Sequence, residues 1–245
     1  MKEIIAKVKI LIRLYKEGSL GGERMPEDSR PEFKGDCKEK YLYLTLPMAL
    51  NYQRNSYKLW ESALQTWSDQ QCEEVFNPFS VLKMSETELR DKLTKYKVAL
   101  QPNKQPQIWK RLCQTLIDRF HGDVRVLFKK NNNDILKIKT FILQNKKEFP
   151  YLSGAKILNY WLYVMTQYTE TKFVNVQEIS VAPDTHVLQA SVKLGVVAEE
   201  ELKKNNIREI VSERWKEILN GTGIQPIDIH TPFWLWSRSG FKVEI

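Results

Sequence analysis

Pro150 stands between two stretches of helical periodicity, and no other local pattern restricts what this chain can fold into as strongly. Upstream, Ile135, Ile138, Phe141 and Ile142 recur at the spacing of one helix face over residues 134–147. Proline has no amide donor and its ring collides with the preceding turn, so that helix cannot run through it. Downstream, Ile157, Trp161 and Met165 mark the apolar stripe of a second helix, with Ser153 as its expected N-cap and Gly154 giving the backbone room in the tight connection. Two helices joined by a hairpin are expected, with Lys156 buried in the first turn of the second.

Helical spacing recurs along most of the chain, at residues 57–67, 86–100, 107–120, 186–194 ending at Gly195, and 207–219. Residues 2–16 alternate Ile and Val with Lys7, Lys9 and Arg13, which reads as an amphipathic helix rather than the apolar core of a secretory signal. Strand-like alternation is short and confined to residues 41–46. Loops are expected at residues 18–31, which hold Gly21-Gly22 and two prolines, and at 102–106 and 131–133. The fold class is therefore all-α, and 245 residues suffice for one large or two small cores. No internal repeat or low-complexity tract interrupts it.

The formal charge of +8 is concentrated rather than spread. Residues 125–156 hold eight basic side chains against Asp134 and Glu148. Lys129, Lys130, Lys137, Lys139, Lys146 and Lys147 would thus surround the hairpin, where cations can displace phosphate counterions; the same pattern also suits a solvated helix face. Cys37, Cys72 and Cys113 form neither a CxxC pair nor an even disulfide framework, so reduced structural thiols and a cytoplasmic location are expected. His121, His186 and His230 are too scattered for a metal site, and no Ser/His/Asp or phosphate-binding glycine motif stands out. No membrane segment is evident.

A second helix start lies at Ala182-Pro183-Asp184-Thr185-His186, where Asp184 suits an N-cap. Taken with Lys156, it offers an amine nucleophile and a charge partner that folding could bring to one reaction centre. These two segments, in this order, resemble the helix-hairpin-helix DNA glycosylases. In that family the hairpin reads Leu-Pro-Gly-Val-Gly, then one residue, then the catalytic lysine. Here Phe149-Pro150, Gly154 and Lys156 match, while Tyr151-Leu152-Ser153 is one residue longer and lacks the first glycine. Pro183-Asp184-Thr185-His186-Val187 is similar to the Val-Asp-Thr-His segment whose aspartate is catalytic.

Weaker similarities extend over roughly residues 45–240. Leu50-Asn51-Tyr52-Gln53-Arg54-Asn55 matches a glutamine-containing loop that fills the gap left by an everted base, and Gly122-Asp123-Val124 resembles a Gly-Glu-Val. Pro226 to Arg238, with Trp215 and Gly221-Thr222-Gly223-Ile224 before it, is similar to the closing segment of the archaeal 8-oxoguanine glycosylases. Many relatives carry a four-cysteine iron–sulfur loop after that segment; here Ser239-Gly240-Phe241 follows and no cluster can be built.

The resemblance implies two helical domains, residues 46–169 containing the helix-hairpin-helix and residues 1–45 with 170–245 forming the second, with a cleft between them for the extruded nucleotide. It implies Lys156 and Asp184 as catalytic residues. It further implies DNA contacts from Gln53, Arg54, Asn55, Ser153, Gly154, Lys146 and Lys147, and base contacts from Tyr160, Trp234 and His230. Tyr160 and Trp234 would sandwich the base, and His230 stands where the subgroup has an aspartate. No resident cofactor is implied, apart from room for a monovalent cation at the hairpin. The partner is double-stranded DNA containing a damaged base, engaged by a monomer without membrane attachment, associated with the nucleoid if the source is prokaryotic.

The implied reaction is excision of an oxidised base, 8-oxoguanine first, with strand cleavage through a lysine Schiff base. An ordinary lysine leaves about one amine in two thousand neutral at pH 7, so such a site has to disfavour the charged form. The residues alone also allow a monofunctional glycosylase, or a non-catalytic DNA-binding module that uses the hairpin only for phosphate contact.

Overall fold

The structure, a computed structural model, describes residues 1–20, 25–181 and 183–245. Gly21-Gly22 and Ala182 of the sequence motifs lie outside the described residues. Among the described residues the chain is all-α, with no strand and one isolated bridge between Asp134 and Val174. The helices are α1 (Lys2–Lys16), α2 (Lys38–Thr45), α3 (Ser56–Ser68), α4 (Pro78–Lys83), α5 (Glu86–Lys95), α6 (Gln105–Phe120), α7 (Val124–Lys130), α8 (Ile135–Gln144), α9 (Ala155–Tyr168), α10 (Thr185–Lys193), α11 (Ile207–Leu219) and α12 (His230–Arg238). Short 3-10 turns separate several of them, one at Pro26–Asp28.

Helix ends follow local chemistry. Asn55, Asn77, Ser85, Asp123, Asp134 and Asp184 cap α3, α4, α5, α7, α8 and α10 with side-chain oxygens that accept first-turn amides, each such cap contributing about 1 kcal/mol. Helix α5 stops at Lys95, short of the expected residue 100, because Lys97 turns into the left-handed region at φ 64°. Helix α10 ends where expected, with Gly195 at φ 72° and the Val196 amide returning to the Ser191 carbonyl.

The strand-like alternation at residues 41–46 folds instead as the last turns of α2 and its cap. Tyr41, Leu42, Tyr43, Leu44 and Thr45 are all buried. A helix enclosed on every side has no polar face, so its sequence carries no 3.6-residue signature.

The chain forms two compact units, Met1–Glu23 with Val176–Ile245, and Arg24–Asn175. The boundaries differ from 45/46 and 169/170, because residues 25–45 and 170–175 belong with α3–α9. The reason is α2: Tyr43 stacks on Phe76 at 5.3 Å and meets Trp60 and Trp67, while Tyr41 packs on Phe128. Thr45 accepts the Trp161 indole N–H at 3.1 Å, which ties α2 to α9 and satisfies a polar pair in the core. In the other unit α1, α10, α11 and α12 share a core built on Leu11, Val187, Trp215 and Phe233, and the Trp215 indole donates to Ser191 Oγ at 2.8 Å.

Candidate nucleic-acid interface and catalytic residues

Helices α8 and α9 are joined by residues 145–154, and α6 holds this connection down. Arg119 donates to Glu148 at 2.6 Å and to Asn145 at 3.0 Å, and Thr115 Oγ1 donates to the Glu148 carbonyl. Phe149 and Leu152 are fully buried anchors, with Phe149 among Phe120 and Phe141. Between these anchors Tyr151 adopts φ 61°. The N-cap of α9 is Gly154 rather than Ser153, since the Gly154 carbonyl accepts the first helical amide, from Leu158. A Cβ at Gly154 would lie 3.1 Å from the Tyr151 carbonyl oxygen, which accounts for the glycine.

Lys156 is the second residue of α9 and is exposed, not buried as its apolar neighbours suggested. The buried stripe runs through Ile157, Leu158, Trp161 and Leu162, and it leaves Ala155 and Lys156 facing outward. One turn on, Asn159 donates to the Ala155 carbonyl and accepts from Lys139 Nζ at 3.0 Å. The Tyr160 hydroxyl donates to Glu27 Oε2 at 3.0 Å. Glu27 is 1% exposed, and burial pushes its carboxyl up to about 7. Its Oε1 and the Trp60 indole nitrogen are buried as well, and the Tyr160 and Trp60 donors offset only part of the cost of burying the charge.

The loop between α2 and α3 reaches the hairpin. The exposed Tyr52 ring stacks on Tyr151 with centroids 5.4 Å apart, and the next residue, Gln53, is exposed at φ 49°. Arg54 is turned inward, its terminal nitrogens donating to the carbonyls of Val98 and Lys97, and burial lowers its guanidinium to about 10. Asn55 accepts the Lys58 amide as the α3 cap. Of the three residues assigned to DNA in this loop, Gln53 alone points its side chain outward without a cap or carbonyl to serve.

The basic cluster is only partly solvent-facing. Lys129, Lys137, Lys146 and Lys147 are exposed. Arg125 is engaged by Asp123 at 2.7 Å and by Asp36, Lys139 by Asn159, and Lys130 by the Arg119 carbonyl.

In the other unit Asp184 caps α10 through Oδ1, which accepts the amides of His186 and Val187 at 3.0 Å each. Both bonds fall on one oxygen, so capping does not consume Oδ2. His186 meets the edge of Trp234 at 5.6 Å, and the Arg238 guanidinium lies 4.8 Å from the Trp234 ring centroid. His186 Nδ1 is 3.2 Å from Ser237 Oγ, which donates to Gln189. Asp184, His186, Trp234 and Arg238 thus share one corner of α10 and α12. His230 opens α12 and is 5% exposed.

Sequence reasoning assigned no role to Glu27, Tyr52, His186 or Arg238. Arg238 had a usable signal, lying four residues after Trp234 on α12, whereas His186 had none, because its ring meets Trp234 and Ser237 of a different helix. Glu27 had none, because its burial depends on packing against α3 and α9. No group of three or more His, Cys, Asp or Glu side chains that could hold a metal ion occurs among the described residues, and no helix there is long and apolar enough to cross a membrane. Neither a protein-family model nor a curated protein sequence matches the chain.

Proposed function

We propose that this protein is a helix-hairpin-helix DNA glycosylase with associated AP-lyase activity that removes an oxidised base, 8-oxoguanine first, from duplex DNA. The observation that carries this reading is the outward-facing Lys156 in the first turn of α9, directly after a hairpin braced by Phe149, Leu152 and Glu148. Such an amine can reach a substrate without unfolding anything. Asp184, whose capping bonds leave Oδ2 unused, is the second element of the reading.

In the proposed reaction the bond between sugar C1′ and the base breaks, and positive charge develops on the sugar. The Asp184 carboxylate stabilises that charge, and the Lys156 amine forms a bond to C1′ as the base departs with its electron pair and takes up the proton that the amine releases. Ring opening gives an iminium. Loss of the C2′ proton then expels the 3′ phosphate and leaves a nicked strand. The exposed Lys146 and Lys147 beside the connection supply phosphate contacts. Half-buried Trp234, flanked by His186 and Arg238, suits one face for stacking on the damaged base.

Incubation with a panel of single-lesion duplexes, resolving free base from nicked strand, tests the reading. Release of 8-oxoguanine with nicking is expected. Base release without nicking leaves a monofunctional enzyme, and no base release from any lesion overturns the glycosylase assignment.

A further inference from the structure

We propose that Tyr52 and Tyr151 form a stacking platform for an unpaired DNA base, an inference that rests on the DNA-repair reading and extends it to the strand opposite the lesion. Three observations converge. Tyr52 is 52% exposed, whereas Tyr41 and Tyr43, a few residues earlier, are fully buried. It does not lie loose on the surface: its ring is 5.4 Å from that of Tyr151 at an interplanar angle of 27°. Lys104 Nζ lies 5.2 Å from the centroid of the Tyr151 ring, so a cation backs the pair.

The backbone is committed to this arrangement. Tyr151 sits at φ 61° and Gln53 at φ 49°, a region that costs free energy for residues other than glycine. The two strained positions lie on different loops, and the ring stack is where the loops meet. Nothing in the core requires it, because Phe149 and Leu152 already anchor the connection.

A flat, π-rich ligand flanked by negative charge fits this surface. The exposed face of Tyr52 extends the stack, Lys104 serves an adjacent phosphate, and Lys146 and Lys147 are exposed on the same connection. Any base has a π-face, so such a platform accepts an orphaned base and favours the larger purines. The gap-filling role considered for Gln53 is separate, since it puts a side chain where the lesion stood.

The test uses the full chain and a duplex carrying a tetrahydrofuran abasic analogue opposite 2-aminopurine, whose fluorescence falls on stacking. The wild type is expected to quench it, Tyr52→Phe to quench equally, and Tyr52→Ala to lose quenching and bind about 5- to 150-fold more weakly at unchanged melting temperature. Equal quenching by Tyr52→Ala, or loss in Tyr52→Phe as great as in Tyr52→Ala, overturns the platform. So does absence of quenching in the wild type. Quenching by a wild type that excises no lesion would sink the glycosylase reading and leave the platform standing.

Discussion

Asp184 is where structure and chemistry meet at the scale of single residues, because its carboxylate caps α10 whether or not it takes part in a reaction. Asparagine caps as well as aspartate does, so Asp184→Asn separates the roles. The variant is expected to melt like the wild type yet excise at least about 100-fold more slowly, the loss of about 3 kcal/mol of transition-state stabilisation. Normal excision would reduce Asp184 to a cap. Trp234→Ala is expected to lose excision of 8-oxoguanine while keeping both its melting temperature and its grip on an abasic duplex, since Trp234 is half-buried. Trp215→Ala, at 0% exposure, is expected to lower melting itself. Collapse of all three readouts in Trp234→Ala would return that ring to the core. Glu27 adds a prediction that no sequence pattern offered. Its folded pKa of about 7 lies above the 4.5 of an ordinary glutamate, so between those values the folded state holds more protons than the unfolded state and stability falls as pH rises. The loss is complete above about pH 7 and amounts to at most about 3 kcal/mol. Urea midpoints at pH 5 and pH 8 should differ in the wild type and converge in Glu27→Gln; parallel behaviour of the two proteins would contradict the buried charge.

Among the elements, α8 and α9 were legible because each pairs a clear apolar stripe with a chain-breaking proline between them. Finer features were not. Ser153 is the better capping residue by composition, but the phenylalanine and leucine anchors on either side of Pro150 fix the turn so that Gly154 takes the position. Helix α2 was misread as a strand for the opposite reason, full burial having erased its periodicity. The resemblance implied a DNA contact for Arg54, whose guanidinium is instead spent on two carbonyls. The basic cluster also offers fewer outward cations than its charge count, because intramolecular partners hold Arg125, Lys130 and Lys139. Lys146 and Lys147 remain as outward cations of the connection. Replacing both with alanine should weaken binding to damaged and undamaged duplex alike and flatten the log-affinity against log-salt slope by up to about 2 units. An unchanged slope would mean that this connection faces away from DNA.

For the whole molecule, the all-α class followed from periodicity repeated over most of the chain, and a division in which both termini contribute to one unit followed from the resemblance. The boundary lies elsewhere because Tyr41 and Tyr43, an aromatic pair in an unmarked segment, carry residues 25–45 into the core beneath α9. That core is what presents Lys156 at the surface, where the proposed reaction requires it to capture C1′ covalently. Borohydride added during turnover on an 8-oxoguanine duplex reduces the iminium and locks protein to DNA. The wild type is expected to form this adduct, and Lys156→Gln to form none while still binding the duplex; an undiminished adduct in Lys156→Gln would contradict the assignment.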